Sequence, residues 1–191
     1  MPYEAEYIEK TIFVKRLTYY SSESGWTVLL VCHEESELEF TAVGPMITQA
    51  SPGEFYYLKG QWKKNKTYGK QLEFVQASPT RPQTISGITK YLSSGLFPGI
   101  GKKTAEKIAE HYKAETFQIL DEKPQSLLSV PGLSSRLATK MLHAWRENRA
   151  QHTTLLFLER HDLTGKTAQK ILAKYGSETI STLSENPYRL I

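Results

Sequence analysis

The sequence predicts an all-β small barrel followed by an all-α domain, and three features of the chain point there. β-branched and aromatic residues gather in short runs before residue 78. After residue 83 the hydrophobic period becomes helical. The charge divides at nearly the same place: residues 1–80 hold 8 Lys and Arg against 10 Asp and Glu, whereas residues 81–191 hold 16 against 10. The net +4 of the chain is therefore a −2 barrel and a +6 helical part, which puts any polyanion partner on the second.

The β part, 1–78, has strand-like runs at 7–17, 26–33, 38–43, 54–62 and 71–75, separated by turn signals at 21–25, 34–36, 51–53 and 65–69. Strands this short and this many suit a closed barrel of the OB or SH3 kind. Residues 46–50 can form a short helix between the third and fourth strands, which favours an OB-like barrel. Trp26 is expected to start the second strand with its ring in the core. With 39% hydrophobic and 23% charged residues the composition is globular. The one cysteine, Cys32 in an apolar run, excludes a disulfide framework, a Cys-ligated zinc and an iron–sulfur cluster. The acidic start (Glu4, Glu6, Glu9) is no signal or transit peptide, and no apolar run is long enough to span a bilayer, so a reducing cytoplasm is the default home.

Pro79 and Pro82 mark 79–83 as a linker. Beyond it, 84–191, helices are expected at 84–94, 102–112, 114–120, 124–128, 134–149, 153–160, 165–175 and 178–183. A shift of 63 residues lays 97–128 over 160–191 with 12 of 32 positions identical, among them Lys103-Thr104-Ala105 with Lys166-Thr167-Ala168. In the first copy Leu128 leads at once into another tight turn, Ser129–Leu133. The second copy reaches its matching point at Ile191, which suggests that the chain is the front part of something longer.

The sharpest motif is Phe97-Pro98-Gly99-Ile100-Gly101-Lys102-Lys103-Thr104-Ala105. Glycine permits positive φ and close approach to a ligand, and the unpaired N–H groups of the helix that follows form a phosphate site. Ile100 is expected to pin the turn in the core, Lys102 and Lys103 to add charge, and Thr104 a hydroxyl donor. This pattern resembles the helix-hairpin-helix motif of DNA repair and recombination proteins. Val130-Pro131-Gly132-Leu133-Ser134-Ser135-Arg136 is a second copy, with Ser134 in place of the later glycine. His161-Asp162-Leu163-Thr164-Gly165-Lys166-Thr167 is a third and lacks both hairpin glycines, which suggests a mainly structural role. The resemblance makes Gly99, Ile100, Gly101, Lys102, Lys103, Thr104, Gly132, Leu133, Ser134, Ser135, Arg136, Lys166 and Thr167 the candidate DNA contacts.

Gly165-Lys166-Thr167 ends like a P-loop, but the glycine needed five residues before Gly165 is Arg160, and no ATP site is present. Lys103 and Asp121 have the separation of the catalytic pair in helix-hairpin-helix DNA glycosylase-lyases, yet Glu122-Lys123-Pro124 departs from that family's pattern; no catalytic residue is assigned. In the barrel, Trp62, Lys63, Lys64, Lys66, Tyr68 and Lys70 mix aromatics with lysines on one loop, a combination that can stack on unpaired bases and neutralise phosphates. A solubilising loop with Trp62 packed at the barrel edge is the equal alternative. His33, His111, His143, His152 and His161 show no metal-ligand spacing and are expected at the surface.

Taken end to end, the chain resembles the N-terminal region of the long-form RecD-like DNA helicases. The residues that carry the likeness are Gly25-Trp26-Thr27-Val28, Gly60-Gln61-Trp62 with Tyr68-Gly69-Lys70-Gln71-Leu72, the block Tyr91–Gly101, and Asn186-Pro187-Tyr188-Arg189-Leu190. The resemblance implies DNA, single-stranded or forked, as partner. It also implies a single-strand-binding or recombination protein as a possible second partner, a monomer, and a role in recombination and repair. ATP and Mg would belong to motor domains moving 5′→3′, with no cofactor in these residues. A RuvA-like Holliday-junction-binding protein, which also joins an OB barrel to tandem hairpins, is the runner-up, with the extra hairpin copy against it. A partner-docking scaffold without DNA binding is the third reading.

Overall fold

The computed structural model describes residues 7–34, 36, 38–163 and 165–186. Strands β1 (Ile8–Tyr20), β2 (Trp26–His33), β3 (Glu39–Pro45), β4 (Phe55–Asn65) and β5 (Gly69–Thr80) close into a barrel in the order β1-β2-β3-β5-β4. β3 runs parallel to β5, and the antiparallel β1–β4 pairing closes the ring, with Ile8 opposite Gly60 and Phe13 opposite Phe55. The OB-like barrel expected from the strand spacing is the one formed.

Alternation decides what lies inside. Thr27, Leu29 and Val31 of β2 point inward and are fully buried. Trp26 therefore points outward and is 41% exposed, against the expectation of a core ring. The strand register assigns the inward place to Thr27, whose hydroxyl donates to the Gly25 carbonyl at 2.9 Å. Residues 46–50 form no helix. The Met46 N–H is spent on the Gly25 carbonyl (2.8 Å) and the Ile47 carbonyl accepts from the Tyr20 hydroxyl, so the segment is tied across the barrel end. Met46 and Ala50 are buried there.

The segment expected as a linker, 79–83, begins inside β5. Pro79 lies opposite Tyr56 and Thr80 opposite Phe55. A proline at a strand's end costs one ladder donor without breaking the extended chain. Beyond it the chain is fastened to the barrel. Glu34 Oε1 accepts from the Gln83 N–H (2.7 Å), the Thr84 N–H (2.9 Å) and the Thr84 hydroxyl (3.0 Å). Thr84 in turn caps the first helix by accepting from the Gly87 N–H at 3.0 Å.

Six α-helices follow among the described residues: α1 (Ile85–Leu92), α2 (Lys102–Tyr112), α3 (Thr116–Glu122), α4 (Ser135–Arg160), α5 (Gly165–Tyr175) and α6 (Thr179–Glu185). Short 3-10 turns occupy Lys113–Glu115, Pro124–Ser129 and Gly176–Glu178. The two helices expected at 134–149 and 153–160 are one, α4, because Ala150-Gln151-His152 contains no breaker. The repeat is reproduced in three dimensions: α2, its 3-10 turn and α3 recur as α5, its turn and α6, each bound displaced by 63 residues. Of the family-like ending at 186–190, only Asn186 lies within the described residues.

Barrel and helices share a core. Tyr91 of α1 is ringed by Phe55 of β4, Phe97, Phe117 and Trp145 at centroid distances of 6.0, 5.4, 5.7 and 6.4 Å. Such pairs contribute about 0.5–1.5 kcal/mol each beyond their buried area. Asp121 sits beside this cluster. It accepts from Trp145 Nε1 at 3.0 Å and pairs with Arg81 (2.9 Å) and Arg149 (3.3 Å). Asp121 is thus occupied structurally. Among the described residues no helix is long and apolar enough to cross a membrane.

Candidate nucleic-acid interface

In the first hairpin, Gly99 has φ +85°, and the Ile100 N–H turns back to the Phe97 carbonyl at 3.1 Å. Ile100 is buried as expected. Gly101 caps α2 without a side chain, and the Thr104 and Ala105 N–H groups bond to its carbonyl at 3.1 and 2.9 Å. The N–H groups of Lys102 and Lys103, first and second in the helix, are thereby left at its mouth. The two glycines differ in kind. A Cβ on Gly99 would meet Leu137 Cδ1 at 2.7 Å, whereas one on Gly101, at φ −84°, would meet nothing within 4 Å. Gly101 leaves open space for a ligand; positive φ is required only of Gly99. Lys102 and Lys103 are exposed and Thr104 is half-buried.

The second hairpin repeats the turn, with Gly132 at φ +81° and the Leu133 N–H on the Val130 carbonyl at 3.1 Å. Leu133 is buried; Ser135 and Arg136 are exposed. Ser134 caps α4, its hydroxyl accepting from the Leu137 N–H at 3.3 Å. The equivalent donor of the first hairpin, the Thr104 N–H, bonds to the Gly101 carbonyl instead, since glycine has no hydroxyl to offer.

In the third copy Asp162 takes φ +56°, the place of Gly99 and Gly132. Loss of glycine has not abolished the bend, because a short polar side chain tolerates the left-handed region. The bonding nevertheless differs. Asp162 N–H to the Glu159 carbonyl (3.0 Å) and Leu163 N–H to the Leu158 carbonyl (2.9 Å) form the paired closure that ends a helix, here α4. Thr164 lies outside the described residues. Lys166 and Thr167 are exposed at the start of α5.

The structure brings the first two copies together and sets the third apart. Gly99 abuts Leu137 on α4, and Gly132 faces Lys107 on α2, where a Cβ would lie 3.0 Å from the ammonium. The third hairpin is at the other end of α4, whose 26 residues span about 39 Å. Lys166 and Thr167 thus belong to a different surface from Gly99–Thr104 and Gly132–Arg136.

Aligned on the starts of α2, α4 and α5, the three copies carry further equivalent cations. The second helical position is Lys103, Arg136 or Lys166, and the position one turn later is Lys107, Lys140 or Lys170; all are exposed. None of α2, α4 and α5 has an acidic residue in its first turn. A cation near a helix N-terminus opposes the helix dipole and costs about 0.3–1 kcal/mol, so three helices share one unfavourable choice that a bound anion reverses. The i, i+4 spacing combined with the repeat register was the signal for Lys107, Lys140 and Lys170.

On the barrel, the β4–β5 hairpin turns on Asn65, whose side-chain oxygen accepts from the Thr67 and Tyr68 N–H groups at 2.8 and 3.1 Å. Trp62 is half-buried, edge-on to Phe40 at 5.2 Å and covered by Lys70 Nζ 4.7 Å from its ring, so it closes the barrel mouth. Lys63 is paired with Glu73 at 2.6 Å. Lys64, Lys66 and Tyr68 stay exposed. His152 corrects the expectation of surface histidines. It is buried on α4, its Nε2 has no hydrogen-bond partner among the described residues, and burial, with the Arg81 charge second, lowers its pKa to about 4.

Comparison with known proteins agrees with this arrangement. Residues 7–82 match the family described as the OB-fold domain of the ATP-dependent DNA helicase YrrC. Residues 96–147 match the SAM-like helix-hairpin-helix tandem, and residues 147–191 the helix-hairpin-helix domain of the ATP-dependent RecD2 DNA helicase. The chain is 24% identical over 176 residues to the ATP-dependent RecD2 DNA helicase of Deinococcus radiodurans, an alignment covering 90% of this chain and 24% of that protein. It thus spans about a quarter of that relative's length. No solved structure matches. In this order along the chain, residues 7–82 are thus similar to the OB-fold domain, and residues 147–191 to the helix-hairpin-helix domain, of ATP-dependent DNA helicases of the RecD2 kind, with a helix-hairpin-helix tandem between them.

Proposed function

We propose that this chain is the DNA-binding region of an ATP-dependent RecD-like helicase, and that its first two hairpins hold DNA phosphates without reading sequence. The observation that carries this is the cation at the second position of α2 and α4, beside N–H groups that the helices cannot use. A phosphate there satisfies the donors, neutralises the lysines or arginine and follows the dipole. Contacts of this kind set register on the backbone and carry no base information.

The barrel's Tyr68, Lys64 and Lys66 are offered to a single strand or to a single-strand-binding or recombination protein. We assign ATP and Mg to other parts of the whole protein, since these residues hold no P-loop, and 5′→3′ movement in cytoplasmic recombination and repair to the whole. The test is binding of two labelled duplexes of unrelated sequence across a salt series. We expect equal affinities that fall by about 0.9 log unit per log unit of salt for each phosphate held. Affinity that does not change with salt overturns the phosphate grip. No binding at low salt, with a protein partner captured instead, favours a scaffold.

A further inference from the structure

We propose that the seam between α5 and the β1–β2 turn of the barrel is a second DNA surface, one that takes an unpaired strand. This rests on the DNA-binding reading above but uses different residues. Lys166, Lys170 and Lys174 follow one another at i, i+4 along α5, all exposed; Lys174 Nζ lies 5.0 Å from the Tyr175 ring centroid, while Lys166 and Lys170 line a hollow. Like charges at that spacing destabilise a helix, so the stripe has a cost that an anionic ligand removes.

The stripe does not stand alone. Gln169 Nε2 donates to the Tyr20 hydroxyl at 3.0 Å, which docks α5 on the end of β1. Ser22 and Glu23 of the turn form a hollow with Lys166, Gln169 and Lys170. The turn leads directly into Trp26, 41% exposed, and Tyr19, 54% exposed. Tyr19 pairs with Val28, two residues from Trp26, so both rings share the outer face of the barrel as diagonal neighbours. Gly25, the residue before Trp26, lies against α5, where a Cβ on it would fall 3.2 Å from Gln169 Nε2, so the lysines and the exposed rings flank one turn. Lysines that can follow a backbone, with exposed aromatic rings across the turn, fit single-stranded DNA: every base has a face to stack, and a duplex offers none. Glu23 is the acidic group that faces the lysines across the hollow. The surface lies at the opposite end of α4 from the paired hairpins, so the two can be altered separately.

The experiment uses the chain with a dT oligonucleotide of about 15 nucleotides and a blunt duplex. Tryptophan emission follows the oligonucleotide, and anisotropy of labelled DNA gives both affinities. We expect dT to quench the emission and Trp26→Phe to abolish that quenching. We expect Trp26→Ala to weaken dT binding about tenfold with duplex affinity unchanged, Lys166→Glu with Lys170→Glu to weaken dT binding further, and Glu23→Lys to strengthen it. Glu23→Lys lies on an exposed turn and keeps the test independent of folding. Quenching that persists in Trp26→Phe, or equal losses for dT and duplex, overturns the proposal. Duplex binding without dT binding overturns it too and leaves the hairpin grip standing. Failure of the unaltered chain to bind either DNA removes both.

Discussion

The ammonium of Lys107 stands 3.0 Å from the point where a Cβ on Gly132 would lie, and Leu137 Cδ1 stands 2.7 Å from the corresponding point on Gly99. Each hairpin glycine is roofed by the helix that follows the other hairpin. The first two copies are therefore a packed pair, and substitution at either glycine strains the pair as well as its own turn.

From this we expect Gly99→Ala to destabilise the chain by about 1–3 kcal/mol, through a left-handed φ that alanine resists and the collision with Leu137. Gly101→Ala should leave stability within about 0.5 kcal/mol, since φ −84° is ordinary and the space is open, while weakening DNA binding by filling the helix mouth. Urea unfolding alongside DNA titration reads both. Equal stability losses for the two variants would show that the glycines do the same job.

The misplaced cations make an expectation of opposite signs. Lys103→Gln and Arg136→Gln should each raise stability by about 0.3–1 kcal/mol, because a charge opposing the helix dipole is gone. Each should also reduce the salt slope of duplex binding by about one phosphate's worth. Thermal unfolding at low ionic strength gives the first quantity and a salt series the second. A variant that loses both stability and binding would point to a packing role for that side chain.

What the sequence made legible is what short-range chemistry controls. α2 begins and ends where its pattern predicts, because Gly101 precedes the first periodic residue and the chain turns at Lys113. The duplication was visible because both copies keep Lys-Thr-Ala and the residues of one helical face. Failures occurred where tertiary register outweighed a local cue. Trp26 was expected in the core, but the alternation along β2, which turns Thr27, Leu29 and Val31 inward, places it outside. Pro79 signalled a break and instead ends a strand. Asp162 makes, in the third copy, the positive-φ bend that Gly99 and Gly132 make in the first two. Within the site, residues next to the glycines were found directly, whereas Lys107, Lys140 and Lys170 required knowing that three helices present the same face.

The repeat also exposes a strained residue. Lys113 has φ +49°, and Gly176, 63 residues later, sits at φ +51°. The second copy holds the residue type this backbone suits, and the first does not. Lys113→Gly should therefore stabilise the chain by about 1 kcal/mol, the relieved strain exceeding glycine's larger unfolded-state entropy. Chemical denaturation of the single variant checks it. A loss of stability would mean that the Lys113 side chain makes contacts worth more than the strain.

His152 sets a dependence on pH whose sign can be worked out. Its folded pKa, about 4, lies below the unfolded value near 6.5 because burial disfavours the charged ring. Between those values the unfolded chain binds a proton that the folded chain refuses. The stability contributed by neutral His152 is thus complete above about pH 6.5 and drains away as the pH falls toward 4, by on the order of 3 kcal/mol in all. Glu54 and Glu159 act in the opposite sense. Burial raises both, so just above the ordinary carboxyl range the folded chain is the one that holds the extra proton. Comparison with His152→Leu separates the histidine from these carboxyls. The unaltered chain should lose more stability between about pH 7.5 and pH 5 than the variant does, and identical losses in urea unfolding would rule out His152 as the source.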